Sequence, residues 1–240
     1  MLSSIPILIA LVAASAGCDS NRASEAPADF RVVFVGNSLT YTNDLPGMLE
    51  DLFEASGVGR LEARQVVGAN AGLEDHGADG SAQAGIAKGN WDVVVVQQGP
   101  SATEGRPSLI EYSKRYAAEA TAVGARLAVF MIWPSSERSF DFEGVSLSHQ
   151  MAADSARGLL YPAGEAWLAA WRRKPSLQLY GDDGFHPSRI GTYLAALVMF
   201  EQITGRSPVG APAVVDGIGA ADLRILQESA AEANRNFARR

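Results

Sequence analysis

Four consecutive valines, Val93–Val96, constrain this chain more than any other feature. A β-branched run with no polar interruption has no face to offer water. It suits a strand buried on both sides, as in the middle of a parallel sheet. The flanking sequence agrees. Residues 31–35 form another short apolar run, stopped by Gly36, and residues 61–67, 126–132 and 159–161 are further strand candidates. Between them the period changes. Leu45, Met48, Leu49, Leu52 and Phe53 predict a helix over residues 45–56, with Pro46 in its first turn and Gly57 at its end. Residues 108–123, 163–173, 188–204 and 219–238 read as further helices. Strands separated by helices predict an α/β protein: a three-layer α/β/α arrangement around a parallel sheet of about five strands.

The chain has 240 residues, 47% hydrophobic and 20% charged, with no internal repeat, which suits one folded domain over residues 30–240. Its net charge of −7 repels polyanions and argues against nucleic acid as a partner. Residues 1–17 read as a secretory signal peptide: an apolar stretch from Ile5 to Ala14, then small residues up to Gly17. Cys18, the only cysteine, follows directly and resembles the lipidated residue of a bacterial lipobox. Residues 1–17 contain no Lys or Arg, and Ser15 stands where such motifs carry an aliphatic residue, so a plain cleaved signal with an incidental cysteine is the alternative. Residues 18–29 are small and polar and read as a flexible tether. The expected location is the cell envelope, lipid-anchored through Cys18, and otherwise periplasmic or secreted.

In open parallel sheets ligands bind beyond the carboxyl ends of the strands. Two segments there carry chemistry. In Gly36-Asn37-Ser38-Leu39, a serine sits just after a strand where a helix starts, so its hydroxyl projects from the sheet edge and nearby N–H groups can face an oxyanion. Alone, Ser38 could equally be a helix cap or turn residue. In Asp182-Asp183-Gly184-Phe185-His186-Pro187, a carboxylate three residues before a histidine can fix the imidazole tautomer and leave the other nitrogen free as a base. Alone, that segment could be a surface turn.

Taken together, Gly36-Asn37-Ser38-Leu39 and the Asp183, His186, Pro187 spacing resemble the SGNH hydrolases, the GDSL esterase/lipase superfamily. A divergent bacterial branch is matched further by the run from Pro162 to Trp167 and by the run from Asp183 to Ala196. The resemblance implies a flavodoxin-like fold and an ester hydrolase without a cofactor. It makes Ser38 the nucleophile, His186 the base and Asp183 the orienting acid. It also puts Gly72 and the Ser38 amide in the oxyanion hole, with Asn70 a further donor candidate. Where the family carries a third-block asparagine this chain has Ser101, so Gln97, Gln98 or Ser101 would supply the missing donor, with Gln98 preferred. The implied substrate is a carboxylic ester, such as an O-acyl group on carbohydrate. The alternative is a non-catalytic envelope lipoprotein that uses the fold to bind glycans.

His76 could line the substrate pocket or be structural, and His149, in a polar stretch, is expected to be exposed. Trp133 follows a strand end and could line the pocket or pack the loop. Three scattered histidines and one cysteine offer no metal-ligand spacing.

Overall fold

The computed structural model describes residues 28–238. Residues 1–17, expected to be a signal peptide, Cys18 and most of the expected tether lie outside the described residues. Asp29, assigned to the tether, already belongs to the fold: its backbone N–H donates to the Arg60 carbonyl, and its side chain accepts the Arg60 N–H at 2.9 Å.

Five strands form one parallel sheet: β1 (Phe30–Gly36), β2 (Leu61–Val67), β3 (Val93–Val96), β4 (Arg126–Phe130) and β5 (Leu159–Tyr161). Their spatial order is β2-β1-β3-β4-β5. Register runs Val32 to Val93 and Val93 to Arg126, so the valine run lies between two strands. Val94, Val95 and Val96 are fully buried.

Alternation along each strand divides the core into two. Val32, Phe34, Val95, Phe130 and Tyr161 face one helical layer, made of α2 (Leu45–Ala55), α7 (Ala163–Arg173), α8 (Arg189–Thr204) and α9 (Ala220–Phe237). Val33, Val35, Val94, Val96 and Val129 face the other, made of α3 (Leu73–Asp79), α4 (Ser81–Ala87), α5 (Arg106–Ala122) and α6 (Phe142–Ala156). A four-residue helix, α1 (Ser38–Tyr41), follows β1 directly, and a 3₁₀ segment, Ser136–Asp141, precedes α6. The chain leaves β1 for β2 on one side and returns to β3 on the other. This reversal opens a crevice at the carboxyl ends of β1 and β3.

The helix α6 is absent from the sequence-based expectations, and its position corrects that for His149. This ring is fully buried on α6, and its Nδ1–H donates to the Val145 carbonyl at 2.8 Å. No helix of the described residues is long and apolar enough to cross a membrane.

Candidate active site

The turn after β1 is built around Asn37 and Gly36. Asn37 caps α1: its side-chain oxygen accepts the Leu39 N–H at 3.1 Å, and Ser38 becomes the first helical residue. Gly36 is required by close approach, because a Cβ there would lie 2.7 Å from both Gln97 Oε1 and Thr40 Oγ1. That glutamine, 1% exposed at the end of β3, is the strut of the turn. Its Oε1 accepts the Asn37 N–H at 3.0 Å and the Thr40 hydroxyl at 2.9 Å, while its amide donates to the Gln98 carbonyl at 2.8 Å.

The segment before α8 supplies the histidine. Gly181 N–H donates to the His186 carbonyl, Ser188 N–H donates to the Leu179 carbonyl, and a bridge joins Tyr180 to Pro187. Gly184 has φ +66°, and a Cβ there would meet Ser136 Oγ at 2.4 Å, so both conformation and space demand glycine. Asn43, itself at φ +58°, ties the two segments together by donating to the Pro187 carbonyl at 2.8 Å and to Thr192 Oγ1 at 3.0 Å.

These supports bring three side chains into one line. His186 Nε2 lies 2.8 Å from Ser38 Oγ, and His186 Nδ1 lies 2.5 Å from Asp183 Oδ2. The other oxygen of Asp183 accepts the backbone N–H groups of Phe185 at 3.0 Å and His186 at 2.9 Å. The hydrogen bond from the His186 ring, followed by that from Phe185, lowers Asp183 to about 2, so the carboxylate stays ionised in any ordinary buffer. Asp182 makes no such bond among the described residues. With the carboxylate holding the Nδ1 proton, Nε2 is free to accept one from the serine.

A small cavity opens beside Ser38, and a larger one adjoins it. The smaller, about 190 Å³, is bordered by Asn37, Ser38, Asn70, Gly72, Gly99 and Phe185. The larger, about 940 Å³, shares Asn70, Gly72, Gly99 and Phe185 with it and extends to Glu74, Ser101, Glu104 and Arg138. Pockets for drug-sized ligands span about 300–1,000 Å³, so the first is small and the second ample.

Several expected residues have other duties. The Gly72 N–H, expected to face an oxyanion, donates to Asp75 Oδ2 at 2.7 Å and closes the start of α3. An Asp three residues after a helix-capping position is the sequence signal for this, and it was readable. Both protons of the Gln98 amide are taken, by Ser101 Oγ at 3.1 Å and the Gly105 carbonyl at 3.2 Å, so Gln98 has none left for an oxyanion. Ser101, at φ +53°, donates its hydroxyl to the Gly99 carbonyl and borders the larger cavity. His76 is buried; its ring nitrogens contact the Gly36 carbonyl at 2.8 Å and Ser81 Oγ at 3.1 Å, so it supports the turn that carries Ser38 and does not line either cavity. Trp133 turns into the core, stacked on Trp167 with ring centroids 3.6 Å apart, and its Nε1–H holds the Phe185 carbonyl at 3.0 Å. It braces the histidine loop from inside. Gln97 and Asn43 were missed as supports, because their partners lie 60 and 144 positions away in sequence. Among the described residues, no group of His, Cys, Asp and Glu gathers to hold a metal.

No protein-family model matches the sequence, and no curated protein matches it. Solved structures do. A DUF4886 family protein from Bacteroides uniformis aligns over 86% of this chain and 95% of its own, with TM-score 0.70 and 19% identity. A proposed SGNH hydrolase from Slackia heliotrinireducens aligns over 74% of this chain and 99% of its own, with TM-score 0.62 and 28% identity. An acetyl xylan esterase aligns over 72% of this chain and all of its own, with TM-score 0.58 and 17% identity.

Proposed function

From the SGNH hydrolase fold that this chain shares, we propose that it is a serine esterase that removes short O-acyl groups, with acylated carbohydrate as its substrate class. One observation carries the reading: the continuous Ser38–His186–Asp183 hydrogen-bonded line at the mouth of a cavity. Ser38 Oγ attacks the ester carbonyl while His186 Nε2 takes its proton. The tetrahedral intermediate collapses to an acyl-serine, and His186 returns the proton to the departing alcohol oxygen. Water, deprotonated by the same nitrogen, then releases the acid and restores Ser38.

The cavities support the substrate class. The small one next to Ser38 has room for a short acyl chain, and the larger one, with Glu74, Ser101, Glu104 and Arg138, offers a hydrogen-bonding surface to a hydroxyl-rich alcohol. The acetyl xylan esterase among the fold relatives is consistent with this. The hydrogen-bonded triad weighs against the alternative of a non-catalytic glycan-binding module.

The test uses purified protein and p-nitrophenyl acetate. Wild type is expected to hydrolyse it faster than the octanoate ester and to be labelled by a serine-directed fluorophosphonate. Ser38→Ala should abolish both hydrolysis and labelling with the thermal midpoint nearly unchanged. Hydrolysis persisting at the wild-type rate in Ser38→Ala would reject the assignment, and a wild type that neither hydrolyses nor labels would favour the binding module.

A further inference from the structure

The triad accounts for the nucleophile and the base but leaves the oxyanion short of donors. An acyl transfer needs N–H groups aimed where negative charge develops on the carbonyl oxygen, and losing one costs about 10²–10³ in turnover. Around the small cavity most candidates are spent. Gly72 N–H goes to Asp75, Ala71 N–H to the Gly68 carbonyl, and both Gln98 protons to Ser101 and Gly105. One Asn37 amide proton goes to the Ala71 carbonyl at 2.9 Å.

Asn70 is different. It borders both cavities, and its carboxamide has no hydrogen-bond partner among the described residues. Its backbone sits at φ +59°, a conformation that disfavours most residues and that asparagine tolerates better than others. Strain of this kind persists where the surroundings hold it, and often at functional sites. The surroundings do hold it. The Gly68–Ala71 turn is closed by its own hydrogen bond, and Gly68 N–H donates to the Gly36 carbonyl at 3.2 Å. Asn37, the residue next to the nucleophile, grips the same turn through the Ala71 carbonyl. Asn70 is therefore fixed to the frame that carries Ser38.

We propose that the Asn70 carboxamide is the side-chain donor of the oxyanion hole. It acts with the Ser38 N–H and fills the part left open by the sequence after β3. The assignment rests on the esterase reading above, in which Ser38 attacks a carbonyl. It makes Asn70 a catalytic residue, since its N–H touches the reacting oxygen. The donor comes from the loop after β2, and the loop after β3 is left to shape the groove through Gln98 and Ser101.

The backbone of Asn70 provides an unusually clean test. Asn70→Gly keeps the left-handed conformation, which glycine adopts freely, and removes only the side chain. Asn70→Asp keeps the shape and much of the conformational tolerance but offers a carboxylate with no N–H. With p-nitrophenyl acetate, both variants are expected to lose about 10²–10³ in kcat, with KM within a few-fold of wild type. Both should also bind a boronic acid, which forms a tetrahedral serine adduct, more weakly by a similar factor. The Asn70→Gly thermal midpoint should equal or exceed that of wild type. Turnover within twofold of wild type in either variant overturns the proposal and leaves the triad standing. A loss that comes with a lowered thermal midpoint in both variants overturns it too, by making the effect structural. Absence of any Ser38-dependent hydrolysis in wild type removes the esterase reading itself, an outcome separate from both.

Discussion

Asp182 and Asp183 are adjacent carboxylates with unequal work. Asp183 accepts three N–H groups, two from the backbone and one from the His186 ring. Asp183→Asn should keep the turn, because the side-chain oxygen can still accept the two backbone bonds. The amide nitrogen would then face Nδ1 and favour the tautomer with its proton on Nε2, where no base remains for Ser38. The equivalent amide in serine proteases costs about 10⁴ in turnover. Steady-state kinetics should show a loss of that order for Asp183→Asn and less than about fivefold for Asp182→Asn, which has no bond to lose; equal losses would mean that the wrong carboxylate has been chosen. At this scale the sequence was legible where the chemistry is local: Ser38 stands one turn after a strand, and Asp183 and His186 are three residues apart. It was legible only in part for Gly72, whose Asp75 stands at the capping spacing, and not for Gln98. Their donor groups are available or spent according to partners such as Asp75 and Gly105, and hydrogen-bond competition among neighbours is a geometric fact.

The helix α6 shows why one element escaped a reading by hydrophobic period. Its exposed face carries Leu147 and Met151, while its buried face carries Ser146, Ser148 and His149. Those polar residues share the buried side with Phe142, Val145, Ala152 and Ala153, so the pattern is mixed and no clean apolar stripe marks the helix. It is tolerated because the buried hydroxyls are bonded: the single Ser148 proton is shared between the Ala102 and Gly144 carbonyls, and Ser146 donates to Glu165. His149 is the exception, with Nε2 buried and without a partner among the described residues. Burial lowers its pKa to about 4, so the folded protein holds the ring neutral where an unfolded chain would protonate it near ~6.5. The depressed value fixes the sign: stability is complete above ~6.5 and is lost as pH falls through that range toward 4. Over this window His149 should cost about 3 kcal/mol. Urea denaturation at pH 7 and pH 4 should therefore show His149→Phe losing less stability on acidification than wild type by about that amount. Identical losses would show that the ring is hydrated or paired in solution.

For the whole molecule, alternating β and α segments were enough to indicate a parallel sheet, and residues 61–67 and 159–161 match β2 and β5 residue for residue. The order β2-β1-β3-β4-β5 is the flavodoxin-like order that the family resemblance implied; alternation alone did not give it, because it depends on which helical layer each crossover packs against. The amino-terminal reading concerns the same scale, since it decides where the molecule works. If Cys18 carries a lipid, wild type should fractionate with membranes and Cys18→Ala should move to the soluble envelope fraction with its esterase activity intact. A wild type already soluble would remove the anchor and leave the fold untouched. One structural fact also has a consequence in time. Ser38 and its base are 148 positions apart, on the first strand's exit and on the loop before α8. On the ribosome Ser38 emerges early and meets His186 only after the whole sheet and most of the helices have been made. If the chain is the esterase proposed above, its hydrolytic power waits on the packing of that loop, and a nascent, truncated or still-unfolded chain is harmless to the esters around it.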